Sequence, residues 1–201
     1  MTITDPHFER IYNKKSLRKL RKKFGPFPQH HIDLTITTPW MLNLVQKMDK
    51  KARRGEVVMV IPNKAGEIWL HTKDFYGEGV YRLMTGGLNP GEKPDVAFKR
   101  EVEEETGFKV NIDRCLAVIT YTLNSKDVHQ PFVSYVFAAK RTKGLPRPLD
   151  QSEAIAGFKA VPPAALDDIA DDLASLEGEK ADWGVFRAVA HKVVHEHLAN
   201  S

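Results

Sequence analysis

The chain reads as an α+β protein: strand-like apolar runs dominate its middle, one charged helix interrupts them, and helical patterns close it. Three stretches carry that reading. Val57–Ile61 and Phe132–Ala139 are β-rich apolar runs of strand length. Pro94–Thr106 begins with proline and an acid, ends at Gly107, and so has the start and stop signals of a helix. Trp183–Leu198 places Phe186, Val189, Ala190, Val193 and Val194 at helical spacing.

In order, Asp5-Pro6 predicts an N-cap and first helical residue, with a helix to about Lys23 and a break near Asn13. Gly25-Pro26-Phe27-Pro28 stops it. His31–Thr37 alternates Ile32, Leu34 and Ile36 with polar residues, a short half-buried strand. Thr38-Pro39 opens a second helix with the stripe Trp40, Met41, Leu44, Val45 and Met48, stopped by Gly55. Val57–Ile61 and Glu67–Thr72, joined by Asn63-Lys64-Ala65-Gly66, form an expected hairpin, and Val80–Met84 is a strand. After the acidic helix, strand-rich Lys109–Leu123 and Phe132–Ala139 flank a polar loop. Gly144–Gln151 is a Pro-containing loop, Ile155–Val161 a strand, and Pro162-Pro163 opens a helix.

Composition narrows the class. A chain of 201 residues can bury a sizeable core, and no apolar run approaches a membrane span. The first 30 residues have no signal-peptide pattern, and the single cysteine, Cys115, cannot form an internal disulfide; a cytoplasmic protein with no membrane partner is expected. Residues 1–55 hold 13 Lys+Arg against 4 Asp+Glu, whereas residues 56–201 hold 17 against 22. Two parts are therefore expected: a basic, mainly helical N-terminal extension over 1–55 and a core domain over 56–201. The basic part suits a phosphate-rich substrate, nucleic acid or an acidic partner surface.

Gly86–Phe108 carries the chemistry. Gly86, Gly87 and Gly91 read as a glycine-rich loop, closed by Glu92. On the following helix Glu101, Glu104 and Glu105 stand at i, i+3 and i+4 and share a face. Three crowded carboxylates repel one another unless divalent cations lie among them, and all-oxygen ligands suit Mg²⁺, with Mn²⁺ as the alternative.

These residues resemble the Nudix box, G-x5-E-x7-R-E-U-x-E-E-x-G-U with U a bulky apolar residue. Gly86, Glu92, Arg100, Glu101, Val102, Glu104, Glu105, Gly107 and Phe108 fall on it in register. The resemblance implies an α/β/α sandwich with a mixed sheet, covering about residues 56–198, and a hydrolase of diphosphate bonds. It implies Glu101 and Glu105 as metal ligands, Glu104 as a ligand directly or through water, and a backbone carbonyl at Thr85 or Gly86 completing the site. Arg100 is placed to orient a carboxylate, and Glu92 to bind a further metal or hold the loop. Glu153 resembles the family's acid ahead of an aromatic-bearing strand, a candidate general base or extra ligand. No organic cofactor is implied.

The leading expectation is a Mg²⁺-dependent pyrophosphohydrolase of a nucleoside diphosphate linked to another group. An RNA-end or dinucleoside-polyphosphate hydrolase comes second, and a non-catalytic nucleotide sensor or RNA-binding module third. A homodimer contact through the Trp40–Met48 stripe is favoured. His191, His195 and His197 read as surface or capping residues near a helix end.

Overall fold

A computed structural model describes residues 5–126 and 128–199. One seven-stranded mixed sheet, in the order β1-β5-β6-β2-β4-β3-β7, organises them. Its strands are β1 (Gln29–Thr35), β2 (Gly55–Val60), β3 (Ile68–Lys73), β4 (Arg82–Gly87), β5 (Ile112–Asn124), β6 (His129–Ala139) and β7 (Ile155–Val161). β1 runs parallel to β5 and β2 parallel to β6, while the remaining neighbours are antiparallel.

Helices cover both faces. β2 is buried along its whole length, which explains its uninterrupted apolar run. Val57 and Met59 point to a core shared with Phe98 and Val102 of α4 (Pro94–Thr106) and with Leu17 and Leu20 of α2 (Lys14–Phe24). Val58 and Val60 point to the opposite core, under α3 (Pro39–Lys50), α5 (Ala165–Ala174) and α6 (Ala181–Ala199). This is the α/β/α arrangement that the resemblance implies, and it fits the α+β class read from the sequence.

The helix break near Asn13 is real. α1 (Pro6–Ile11) ends there, and Asn13 caps α2 by accepting from the Ser16 amide while Ser16 Oγ accepts from the Asn13 amide. The N-terminal extension is integral to the sheet: β1 pairs along seven positions of β5, two residues earlier than its alternation suggested. The α3 stripe is likewise covered by its own chain. Met41 and Val45 are buried and Trp40 meets Trp183 edge-on, so burying this stripe requires no second copy.

Three local expectations are corrected. β2 and β3 do not form a hairpin; only the Pro62–Ile68 bridge joins them, and β4 lies between them. Gly55 does not stop α3. Lys51 caps the helix, and Gly55 starts β2, where an added Cβ would lie 2.9 Å from Ile11 Cδ1 and 3.0 Å from Val133 Cγ1. Thr38 makes no side-chain cap for α3. Asp182 of α6 instead accepts from the Thr37 and Thr38 amides, each at 2.6 Å.

Candidate functional site

The site forms where α4 lies against β4 and β3. Proline at its first position and Gly107 beyond its end, at φ 71°, fix the helix limits. Glu101 and Glu105, one turn apart, turn inward and are buried, 6% and 1% exposed. Glu104 points aside and is bonded to Arg100.

The box glycines serve different ends. Gly86 and Gly87 are not in a loop but in β4. A Cβ on Gly86 would fall 2.1 Å from Glu101 Cγ and Cδ, so glycine is needed there to admit the Glu101 carboxylate against the strand. A Cβ on Gly87 would fall 2.3 Å from Cζ of Arg53. Of the three glycines read as a loop, Gly91 alone has the left-handed backbone of a turn, at φ 78°.

Arg100 ties the loop to the helix. Its Nε and Nη2 donate to the two Glu92 oxygens at 2.9 and 2.8 Å, and Nη2 also donates to the Gly87 carbonyl at 3.1 Å. Nη1 donates to Glu101 Oε1 at 2.8 Å and to Glu104 Oε2 at 2.9 Å. Glu92 also accepts from the Asn89 amide, closing the loop. Hydrogen bonding to Arg100 holds the Glu92 carboxyl below its ordinary range, and the bond to Glu92 in turn raises the Arg100 pKa.

Glu153 comes to the same place from the short helical turn Gln151–Glu153 ahead of β7. Glu101, Glu105 and Glu153 each offer an oxygen, and these lie within 4.8 Å of one another. Glu92 and Glu104 stay outside this group, held by Arg100.

Two further residues surround the cluster, and sequence reading missed both. Lys73 Nζ donates to Glu153 Oε2 at 2.7 Å and lies 3.8 Å from Glu105 Oε1. His71 is fully buried, with Nδ1 3.4 Å from Glu105 Oε2, but neither ring nitrogen is hydrogen-bonded. Burial, then the positive charges of Arg82 and Lys73, hold His71 well below its usual pKa. The signal was present: Trp69, His71 and Lys73 alternate along one strand, so the last two share a face with a buried tryptophan.

Glu105 is the most telling group. Both of its oxygens are buried without a hydrogen-bond partner, and burial pushes its carboxyl up to about 8. Burial likewise raises Glu101, opposed by Arg100. A buried carboxylate lacking hydrogen bonds is costly, and a hard cation ligated by these oxygens would relieve it. The residues present therefore fit a divalent metal.

His191 is neither a surface nor a capping residue. It is buried, accepts from the Leu83 amide through Nε2 at 2.9 Å, and donates from Nδ1 to the Arg187 carbonyl at 2.9 Å. It is a structural pin joining α6 to β4. Cys115 is a buried thiol, its pKa pushed up by burial to about 12.

Several known proteins are similar to this chain. An RNA pyrophosphohydrolase of Yersinia enterocolitica is 38% identical over 71 residues, which are 35% of this chain and 39% of that protein. The match thus spans well under half the length of that relative. Among solved structures, the Escherichia coli dihydroneopterin triphosphate pyrophosphohydrolase aligns at TM-score 0.50 with 13% identity, over 74% of this chain and 97% of the other. A NUDIX hydrolase from Nitrosomonas europaea aligns at TM-score 0.49 with 20% identity, over 72% and 89%. The NUDIX domain family itself matches residues 52–183, from the end of α3 into α6. With that match over most of its length, this chain belongs to the Nudix family.

Proposed function

We propose that the protein is a Mg²⁺-dependent pyrophosphohydrolase, with Mn²⁺ as the alternative ion, cleaving the diphosphate linkage of a nucleoside diphosphate joined to another group. The observation that carries this reading is the convergence of Glu101, Glu105 and Glu153, with both Glu105 oxygens buried and unpartnered. A divalent ion bound there would neutralise phosphate oxygens and lower the pKa of bound water.

The chain's own residues divide the remaining work. Arg100 and the bare face of Gly86 fix Glu101; the Arg100–Glu92 fork holds the loop over the helix start. Glu153 is the most solvent-accessible of the three clustered carboxylates, its side chain 29% exposed, and is suited to take the proton of the attacking water. Water then bonds to phosphorus, the bridging P–O bond breaks, and the released phosphate carries away that bond's electrons. Lys73, beside both Glu105 and Glu153, supplies positive charge where diphosphate oxygens would lie.

A second reading, hydrolysis at an RNA end, draws support from the basic N-terminal region and from the activity named for the Yersinia relative over its 71 matched residues. A phosphate-release screen over nucleotides with Mg²⁺ or Mn²⁺, including a 5′-triphosphorylated RNA, tests both. Turnover that needs the ion supports the proposal, and no turnover of any diphosphate in the panel would overturn it. Glu153→Gln should lower kcat: with metal affinity unchanged if Glu153 acts only as base, and with metal affinity weakened if it is also a ligand; a variant with wild-type kcat would remove Glu153 from the role of base.

A further inference from the structure

We infer that a groove between α2 and the start of α4 binds the phosphate backbone of a single nucleic-acid strand. It has a volume of about 450 Å³ and is lined by Arg10, Lys15, Lys19, Lys23 and Lys93, with Asp95 as its acid. Lys23 is paired with Asp95. Among the described residues, the other four cations have no carboxylate partner, so the groove presents uncompensated positive charge.

Three features specify the occupant. The groove lies at the start of α4, whose N-cap residue Lys93 makes no side-chain cap, so the positive end of a thirteen-residue helix adds to the lysines. Its lining contains no aromatic ring, so it offers no platform on which a base could stack. Its cations, set on aliphatic stems, suit a row of phosphates, without regard to base sequence.

The groove also leads toward the carboxylates. Arg10 lines both it and an adjoining hollow formed with Leu88, Asn89, Pro90 and Gly91 of the box loop. Along α4, Pro94 and Glu101 are ~10 Å apart at the helical rise. A strand in the groove would therefore have its end near the cluster. The cations Arg10, Lys15, Lys19 and Lys23 precede the matched Nudix region. This inference deepens the diphosphate-hydrolase reading, on which it rests only for what happens at the strand's end.

The test separates the two. Binding of a short single-stranded RNA with a 5′-hydroxyl end, which has no diphosphate to cleave, is followed by fluorescence anisotropy in EDTA for the wild type and for Lys15→Gln/Lys19→Gln/Lys93→Gln. With about four phosphates engaged, log K should fall with log salt at a slope of about −3, roughly 50-fold between 50 and 200 mM. The triple variant should reduce the slope to about −1 and raise Kd at least about 10-fold at the lower salt. Its turnover of a small nucleoside diphosphate derivative should match the wild type, since none of the three lysines touches the carboxylates. Equal RNA binding by variant and wild type, salt-independent binding, or binding to vesicles of anionic phospholipid without binding to RNA would each overturn the inference. Loss of all diphosphate turnover with RNA binding intact would instead overturn the enzymatic proposal.

Discussion

At the scale of single residues, the site joins two buried carboxylates to a glycine that makes room for one of them. Gly86→Ala would set a methyl group 2.1 Å from Glu101, so the carboxylate must move. The expected result is a loss of kcat of roughly 100-fold with a native circular dichroism spectrum, since misplacement of about 1 Å has that effect. Glu105→Gln removes a group whose charged form burial disfavours. In the absence of metal it should leave Tm unchanged or raised, and it should abolish any rise in Tm produced by Mg²⁺ or Mn²⁺. The spacing of the box made Glu101, Glu105 and Arg100 legible in advance. It could not show that Gly86 is required for space and not for backbone freedom, because that depends on which side chain crosses the strand.

His191 contributes to the acid response, alongside buried His71, whose pKa is lowered in the same direction. Burial lowers the His191 pKa to about 3 in the folded chain, against ~6.5 unfolded. Between those values the unfolded chain binds a proton that the folded chain does not, so stability falls as pH drops from ~6.5 toward 3. The slope from this group approaches about 1.4 kcal/mol per pH unit. His191→Leu should flatten that part of the urea-measured pH profile, and at pH 7 lose about 1–3 kcal/mol because the Leu83 amide is left unbonded. An unchanged acid slope would contradict this account. Its place on a helix near the chain's end suggested an exposed histidine. The strand amide that it meets is 108 residues away in sequence, and no local pattern reports such a contact.

At the scale of elements, α4 and its preceding loop behave as one unit because Arg100 bonds Glu92, Gly87, Glu101 and Glu104 together. Arg100→Lys keeps the charge but loses the fork geometry. It should lower activity by about 10–100-fold, as removal of a ligand-orienting partner does, and increase hydrogen exchange at Asn89. Wild-type activity and exchange would show that the fork is dispensable. Helix limits were legible here because proline and glycine act locally. β7 was likewise read with its observed bounds. Strand pairing was not: the Asn63–Gly66 turn suggested that β2 and β3 pair, yet β4 lies between them. A turn signal describes the chain's reversal and not which strand it then joins. His71 and Lys73 escaped notice for a related reason. Their meaning depends on β3 lying beside α4, a proximity that the box spacing does not contain.

At the scale of the whole molecule, the basic N-terminal region is structural as well as charged. β1 covers the edge of β5 through seven paired positions, and Leu17, Leu20 and Phe27 complete the core under α2. Deleting residues 1–35 should therefore expose an unpaired strand edge and buried apolar surface, and produce aggregation in light scattering. A monodisperse, fully active product would contradict the packing described. The charge split between residues 1–55 and the remainder was visible in the sequence. The integration of this region into the sheet was not, since parallel pairing of β1 with β5 joins segments some 90 residues apart.

The central claim is that Glu101, Glu105 and Glu153 form a metal-dependent centre for diphosphate hydrolysis. The most direct test is steady-state turnover of the best diphosphate substrate over a Mg²⁺ titration, for the wild type and Glu105→Gln side by side. The account predicts no wild-type rate in EDTA, saturable activation by the ion, and a fall in kcat of at least about 100-fold in the variant at every ion concentration. Wild-type turnover that persists in EDTA, or a Glu105→Gln enzyme with the wild-type kcat at saturating Mg²⁺, would contradict it.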